Sequence, residues 1–310
     1  MLSQTSQSRT SLLSIVFKSS LFSICNHWYI KHELACLSAT MLDRILGKLQ
    51  QYGLLSPTIR LSFDSAESIL FMSCMTMILV AIPTFLALLF IEAPYGRYSK
   101  TNGSSWAGPL IPARVGWVVM ESVNIWVILF VCYHYGVDEF QKSVANEVII
   151  ALFMLHYVNR SFIFPFRMKS PAPMTIFIFC ASSTFCFWNS MNQAFSILVV
   201  NRIPDDWVFN PQFVVGVLLF FIGFATNIYG DEVLINLRKP TDKPGTYKIP
   251  YGGAYKYISC PNYAGECLEW IGFAMASRYS LSGIAFAAYT FANLAPRAFR
   301  VCNFCTFIYH

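Results

Sequence analysis

Unbroken apolar runs decide what this chain can fold into. SILFMSCMTMILVAIPTFLALLFI, at 68–91, holds no charged residue. Several other runs reach roughly 18–25 residues, enough to cross a bilayer core of about 30 Å as a helix. They are continuous rather than alternating in period two, which argues against a β-barrel. Only 12% of the 310 residues are charged, and 55% are hydrophobic. The chain reads as an all-α, polytopic membrane protein.

Seven spans are expected: Ile69–Ile91, Val115–Tyr135, Val144–Pro165, Met174–Val200, Phe213–Leu234, Ala264–Ala276 and Ser282–Leu294. The last two are short and separated by SRYSLSG, so they suit a tight hairpin or a partly re-entrant pair. Residues 1–66 form an N-terminal extension, partly disordered or targeting, with a Ser-rich, acid-free start that resembles a targeting segment or a mobile tail. Residues 67–298 hold the seven-helix domain, and 299–310 form a tail. The loops between spans 1–2, 3–4 and 5–6 carry Arg97, Lys100, Arg114, Arg167, Lys169, Arg238, Lys239, Lys243, Lys248 and Lys256. The opposite loops carry Lys142, Arg202 and Arg278. That asymmetry puts the first set in the cytosol.

The net charge of +6 is modest, and no basic stripe alternates with aromatics, so nucleic acid is not an expected partner. Cys302 and Cys305 have a metal-like spacing but lack a second pair, and no metal is expected. Cys74, Cys132, Cys180, Cys186 and Cys267 lie in apolar runs, where a thiol behaves as a small hydrophobe.

Polar residues recur inside the spans. Glu121 lies in the second span, and His156, Tyr157 and Arg160 in the third. Asn227 and Asp231 lie in the fifth, and Asn262, Glu266 and Glu269 at the sixth. His156/Arg160, Asn227/Asp231 and Asn262/Glu266 are four apart, and Glu266/Glu269 three apart. Each pair shares a helix face. Charges this costly in lipid mark a pathway or a site, so the stripes should converge on one intramembrane cavity. The loop LRKPTDKPGTYKIPYGG adds cations and aromatics suited to a nucleotide's phosphates and base. Pro261 starts a helix whose free N–H groups favour an anion. Neither GxGxxG after a strand nor a P-loop is present.

Six stretches carry a family resemblance: APYGRY, ARVGWVVMES, LHYVNRSFIFP, GFATNIYGDEVLINLRKP, YKIPYGGAYKYISCPNYAGECLEWIGFA and NLAPRA, in order across roughly 90–298. They resemble the steroid 5-alpha-reductase family. The resemblance implies a seven-helix oxidoreductase of the endoplasmic reticulum membrane. It would use NADPH from the cytosolic side to reduce the C4–C5 double bond of a 3-oxo-Δ4 steroid. Glu121 and Tyr157 match the pair that hydrogen-bonds the 3-oxo group, and Trp117 an aromatic lining the steroid pocket. Asn227, Asp231, Arg238, Tyr247, Asn262 and Glu266 match cofactor positions, and Arg160 and Arg297 match arginines near the same site. A tyrosine hydroxyl and a protonated Glu121 would stabilise enolate charge while hydride arrives. Met120 stands where animal members often have glutamine, and Lys248 where some have arginine. After NLAPRA the chain reads FRVCNFCTFIYH, unlike the family's usual end. Two other readings stand beside this one: reduction of another activated lipid, a polyprenal or trans-2-enoyl-CoA, or a non-catalytic lipid-binding protein.

Overall fold

The computed structural model describes residues 66–91, 107–139, 143–169, 171–237, 239, 241–242 and 248–309. The expectations for residues 1–65, APYGRY, Arg238 and Tyr247 lie outside these. By its contacts the chain divides after Ser68, and the larger unit, Ile69–His310, contains the helix bundle.

The described residues are almost all helical. α1 is Ala66–Phe90 and α2 is Ala113–Glu139. α3 runs from Val144 to Arg167, with a π-helical turn at Asn159–Ile163. α4 is Ile176–Ala194, continuing as a wide π-turn over Phe195–Val200. α5 is Pro211–Asn236, α6 Pro261–Ala276 and α7 Leu281–Tyr309. One short antiparallel ladder, β1 (Leu110–Ile111) with β2 (Met174–Thr175), pairs Leu110 with Thr175 and Ile111 with Met174. Among the described residues four helices are long and apolar enough to cross a membrane: Ala66–Phe90, Ala113–His134, Val144–Arg167 and Pro211–Asn236.

Capping explains where the helices differ from the expected spans. α5 starts two residues before Phe213 because Asn210 Oδ1 accepts the Gln212 N–H at 2.8 Å and Pro211 takes the first helical position. α6 starts at Pro261, three residues before Ala264, for the same proline reason. Ser143 caps α3 by accepting the Asn146 N–H at 3.1 Å. α7 runs past Leu294, and past residue 298, with Pro296 inside it. The α6–α7 hairpin closes through Arg278 and Tyr279 at φ 57° and 54°. The Tyr279 N–H reaches back to the Ala274 carbonyl at 2.7 Å, which closes the end of α6.

α5 and α6 are the closest pair. A Cβ built on Gly223 would lie 2.3 Å from the Glu269 nitrogen, and one on Gly265 would lie 2.5 Å from the Asn227 nitrogen. Gly216, Gly230 and Gly272 meet the facing backbone in the same way. The glycines are seven apart on each helix, so two backbones touch along a straight seam. An aromatic core sits beside it. Trp270 is fully buried and lies 4.2 Å, ring to ring, from Phe286 of α7. Phe153 of α3, Phe220 of α5 and Phe273 of α6 complete it.

Candidate functional site

The glycine seam decides which polar side chains meet. With backbones in contact, residues flanking the glycines need only short reaches. Asn227 Nδ2 donates to the Asn262 carbonyl at 3.0 Å and to Glu266 Oε2 at 3.3 Å. Asn262 Nδ2 donates to Asp231 Oδ1 at 2.9 Å. Across from them, Arg160 of α3 donates to Asp231 Oδ2 at 2.8 Å and stands 3.8 Å from Glu266 Oε2. One cation thus serves two carboxylates, and two amides fill most of the remaining positions. A buried charge needs that degree of compensation.

The π-turn belongs to this arrangement. It begins at Asn159, so Arg160 enters a widened turn, as single π-turns at functional sites do. Its guanidinium lies 5.0 Å from the Trp117 ring and 4.7 Å from Phe164, and those two rings meet edge to face at 5.4 Å. Trp117 therefore braces Arg160. A cleft opens beside Asp231 between α3 and α5, walled by Asn159, Phe164, Arg167 and Glu232, the last two forming an ion pair.

A second pole lies between α2, α3 and α4. Glu121 is partly buried and within electrostatic reach of Arg160, His156 and Glu266. Cys186 of α4 directs its thiol at Glu121 Oε2, 3.8 Å away. Tyr157 is 5% exposed and packs on Phe153 at 4.6 Å and on Trp270 at 6.0 Å. Glu121 and Glu266 are both within electrostatic reach of it.

The helix ends around Asp231 are rich in cations. Arg114 Nη2 donates to the Met168 carbonyl at 2.9 Å, and Lys169 Nζ to Asn236 Oδ1 at 2.8 Å. Asp242 accepts from Lys248 Nζ and from the Lys239 N–H, both at 2.7 Å. The Lys248 hydrogen bond, followed by the backbone one, holds the Asp242 carboxyl below the usual carboxylate range.

Residues 172–307 match the family model of 3-oxo-5-alpha-steroid 4-dehydrogenase. The 3-oxo-5-alpha-steroid 4-dehydrogenase 1 of Bos taurus is 39% identical over 215 residues, 69% of this chain and 81% of its own length. That of Mus musculus is 36% identical over 219 residues, covering 71% and 83%. The steroid 5-alpha-reductase DET2 of Gossypium hirsutum is 34% identical over 240 residues, covering 76% and 89%. The chain belongs to the 3-oxo-5-alpha-steroid 4-dehydrogenase family. It is therefore an oxidoreductase on a helical membrane scaffold.

Of the residues the sequence singled out, the structure brings Arg160, Asn227, Asp231, Asn262 and Glu266 into one network. It sets Glu121 and Tyr157 beside that network and Trp117 beneath Arg160. Arg297 is half-buried on α7. Three features escaped the sequence reading. Cys186, read as a small hydrophobe, faces Glu121. His156 and Glu269, placed on two separate stripes, face each other, with Nδ1 2.8 Å from Oε1. The glycine seam that aligns the set was legible as a period of seven, Gly216–Gly223–Gly230 against Gly265–Gly272.

Proposed function

We propose that this member of the family reduces the C4–C5 double bond of a 3-oxo-Δ4 steroid, with NADPH as hydride source. The observation that carries this reading is the adjacency of two poles. One offers a carboxyl and a phenol, Glu121 and Tyr157. The other is the network of Arg160, Asn227, Asp231, Asn262 and Glu266.

The cofactor fits the residues present. Asn227 is buried, and its Oδ1 has no hydrogen-bond partner among the described residues. That acceptor suits an amide donor such as a nicotinamide carboxamide. Asp231, Asn262, Glu266 and Arg160 supply further donors and acceptors, and Arg238, Tyr247 and Arg297 are assigned to the same cofactor. When bound, NADPH supplies hydride. The chain's own part is binding, orientation and polarity. Tyr157 and a protonated Glu121 donate hydrogen bonds to the 3-oxo oxygen, and Trp117 closes the wall where the rings lie. Those donors stabilise the negative charge that builds on the oxygen as the β-carbon takes hydride, and the enolate's α-carbon then takes a proton ultimately drawn from water, completing the two added hydrogens. Tyr157 is held in place by its packing on Phe153 and Trp270, and Glu121 lies within electrostatic reach of Arg160.

Seven spans around an intramembrane cavity suit such a reaction, since both the steroid and its carbonyl must leave water. The excess of lysine and arginine at the Asp231 end supports a cytosolic cofactor side in the endoplasmic reticulum membrane.

The test is turnover. Membranes carrying the full chain are incubated with NADPH and a Δ4-3-oxo steroid, beside a trans-2-enoyl-CoA, and products are read by mass. A steroid product heavier by two hydrogens is expected. Turnover of the enoyl-CoA alone overturns the reading. Glu121→Gln or Tyr157→Phe should lower steroid turnover about 100-fold with a small change in cofactor KM, as loss of a preorganised oxyanion donor does. An unchanged rate in both would remove the carbonyl-binding assignment.

A further inference from the structure

The proposed reaction uses Tyr157 and Arg160 but gives no task to the pair beside them. His156 and Glu269 are 2% and 0% exposed, and their hydrogen bond of 2.8 Å joins α3 to α6. The second oxygen of Glu269, Oε2, is buried with no hydrogen-bond partner among the described residues. A pair compensated this incompletely is a poor device for stability, since apolar side chains of similar size would hold two helices as well or better. Its value has to lie in what it orients.

The geometry shows what that is. α3 grips α6 at two rungs: His156 meets Glu269, and Arg160 meets Glu266. One polar contact leaves a helix free to rotate about its axis, whereas two contacts one turn apart fix the rotation. Tyr157 lies between the rungs and directly follows His156, so any turn of α3 swings its hydroxyl. The His156 ring stands edge-on to Tyr157 at 5.0 Å and edge-on to Trp270 at 4.7 Å. Trp270, one residue after Glu269, is the ring on which Tyr157 stacks. The same pair therefore sets both the Tyr157 backbone and the surface beneath its ring. Glu269 itself cannot shift along α5, because its backbone nitrogen abuts Gly223.

We propose that His156 and Glu269 are positioning residues for Tyr157, fixing the rotation of α3 so that the phenol reaches the steroid carbonyl. This rests on Tyr157 being a donor to that carbonyl. The pair is a registration device, and it touches neither substrate nor cofactor.

The experiment uses the full chain in lipid nanodiscs, with His156→Gln, Glu269→Gln, the double variant, Tyr157→Phe, and Tyr157→Phe combined with Glu269→Gln. Thermal unfolding and steady-state kinetics are measured for each. Either single change in the pair should lower kcat about 10- to 100-fold, the cost of a misplacement near 1 Å. The KM for NADPH should stay within about twofold, since ground-state cofactor binding is untouched. The double variant should be no slower than the slower single, because both changes break one unit. In the Tyr157→Phe background, Glu269→Gln should add almost nothing. Should one partner's variant fail to accumulate, the other carries the same comparison. A normal kcat in Glu269→Gln with only a lowered Tm would make the pair merely structural and overturn the proposal. So would a full loss of rate that persists in the Tyr157→Phe background. If the unaltered chain reduces no Δ4-3-oxo steroid, the reading of Tyr157 fails, and this inference fails with it for that separate reason.

Discussion

Two polar regions lie inside this helix bundle, and they are built by different rules. One is the charged network where α3 meets the α5–α6 seam. The other runs along α4 and contains only neutral groups. There, Trp188 Nε1 donates to Ser73 Oγ at 2.8 Å and Ser73 to Asn192 Oδ1 at 2.7 Å. Gln193 Nε2 donates to the Ser282 carbonyl at 2.9 Å and to Asn189 Oδ1 at 3.2 Å. In the charged region Asp231, Glu266 and Glu269 each have at least one donor, while Glu269 Oε2 and Asn227 Oδ1 are left without a partner among the described residues. In the neutral region Asn189 Nδ2, Asn192 Nδ2 and Gln193 Oε1 have no partner among the described residues. An unpaired charge in the interior costs far more than an unpaired amide. The charged region must therefore be built precisely, and two glycine-faced helices supply that precision. In the neutral region the atoms left over belong to uncharged groups alone, at smaller cost.

The contrast can be broken at the seam first. Gly223→Leu puts a side chain where the Glu269 backbone already stands, and no rotamer relieves a clash with backbone. We expect a loss above about 4 kcal/mol, so that no monodisperse protein is recovered on gel filtration. Recovery of folded protein would mean that the seam opens at little cost. Arg160→Ala comes next. It strands Asp231 and Glu266 together and should cost about 3–5 kcal/mol, read as a large fall in Tm and loss of cofactor-dependent stabilisation. In the neutral region the corresponding change is mild. Asn192→Ala removes the acceptor for Ser73 and should cost about 0.6–1.7 kcal/mol in thermal unfolding, the range for hydrogen bonds between membrane helices. A loss as large as that of Arg160→Ala would erase the distinction between the two regions.

The smallest effect belongs outside both. Asp242 lies in the loop after α5, and its carboxyl is held low by Lys248. What it contributes is fully present above the ordinary carboxylate range and is lost as pH falls through its lowered folded value. Asp242→Asn should therefore leave Tm unchanged within error in strong acid and lower it slightly at pH 7. Equal Tm values at pH 7, in low salt, would show that the loop contact contributes nothing.

Much of the charged region was legible in the sequence. The i, i+4 pairs His156/Arg160, Asn227/Asp231 and Asn262/Glu266 named its members, because polar side chains inside apolar runs are scarce and must face inward. Their partners were not legible, since pairing depends on helix depth and rotation. The seven-residue glycine period fixes both for α5 and α6, and the π-turn at Asn159 shifts them for α3. A π-turn leaves no compositional trace in NRSFI. Cys186 is buried in the core, and its contact with Glu121 was illegible for a related reason: its run is apolar, yet its own face of α4 meets that carboxyl. The ends of α5 and α6 differed from the expected spans because Asn210, Pro211 and Pro261 are helix-starting residues just outside the apolar windows. α7 outran its expected end because Pro296 sits inside the helix instead of ending it.

The length of α6 carries a consequence for the lipid. Its 16 residues rise about 24 Å, whereas the hydrocarbon slab is about 30 Å thick. α5, with 26 residues, is long enough to cross, and the seam ties the two helices together. Were α6 to stand as one of the expected seven spans, the bilayer beside it would have to be pinched by several ångströms, or headgroups and water would have to dip toward Pro261 and Asn262. Bilayers of shorter acyl chains would then relieve that mismatch, and lipid thickness would become a variable acting on the Asn262 end of the α5–α6 seam.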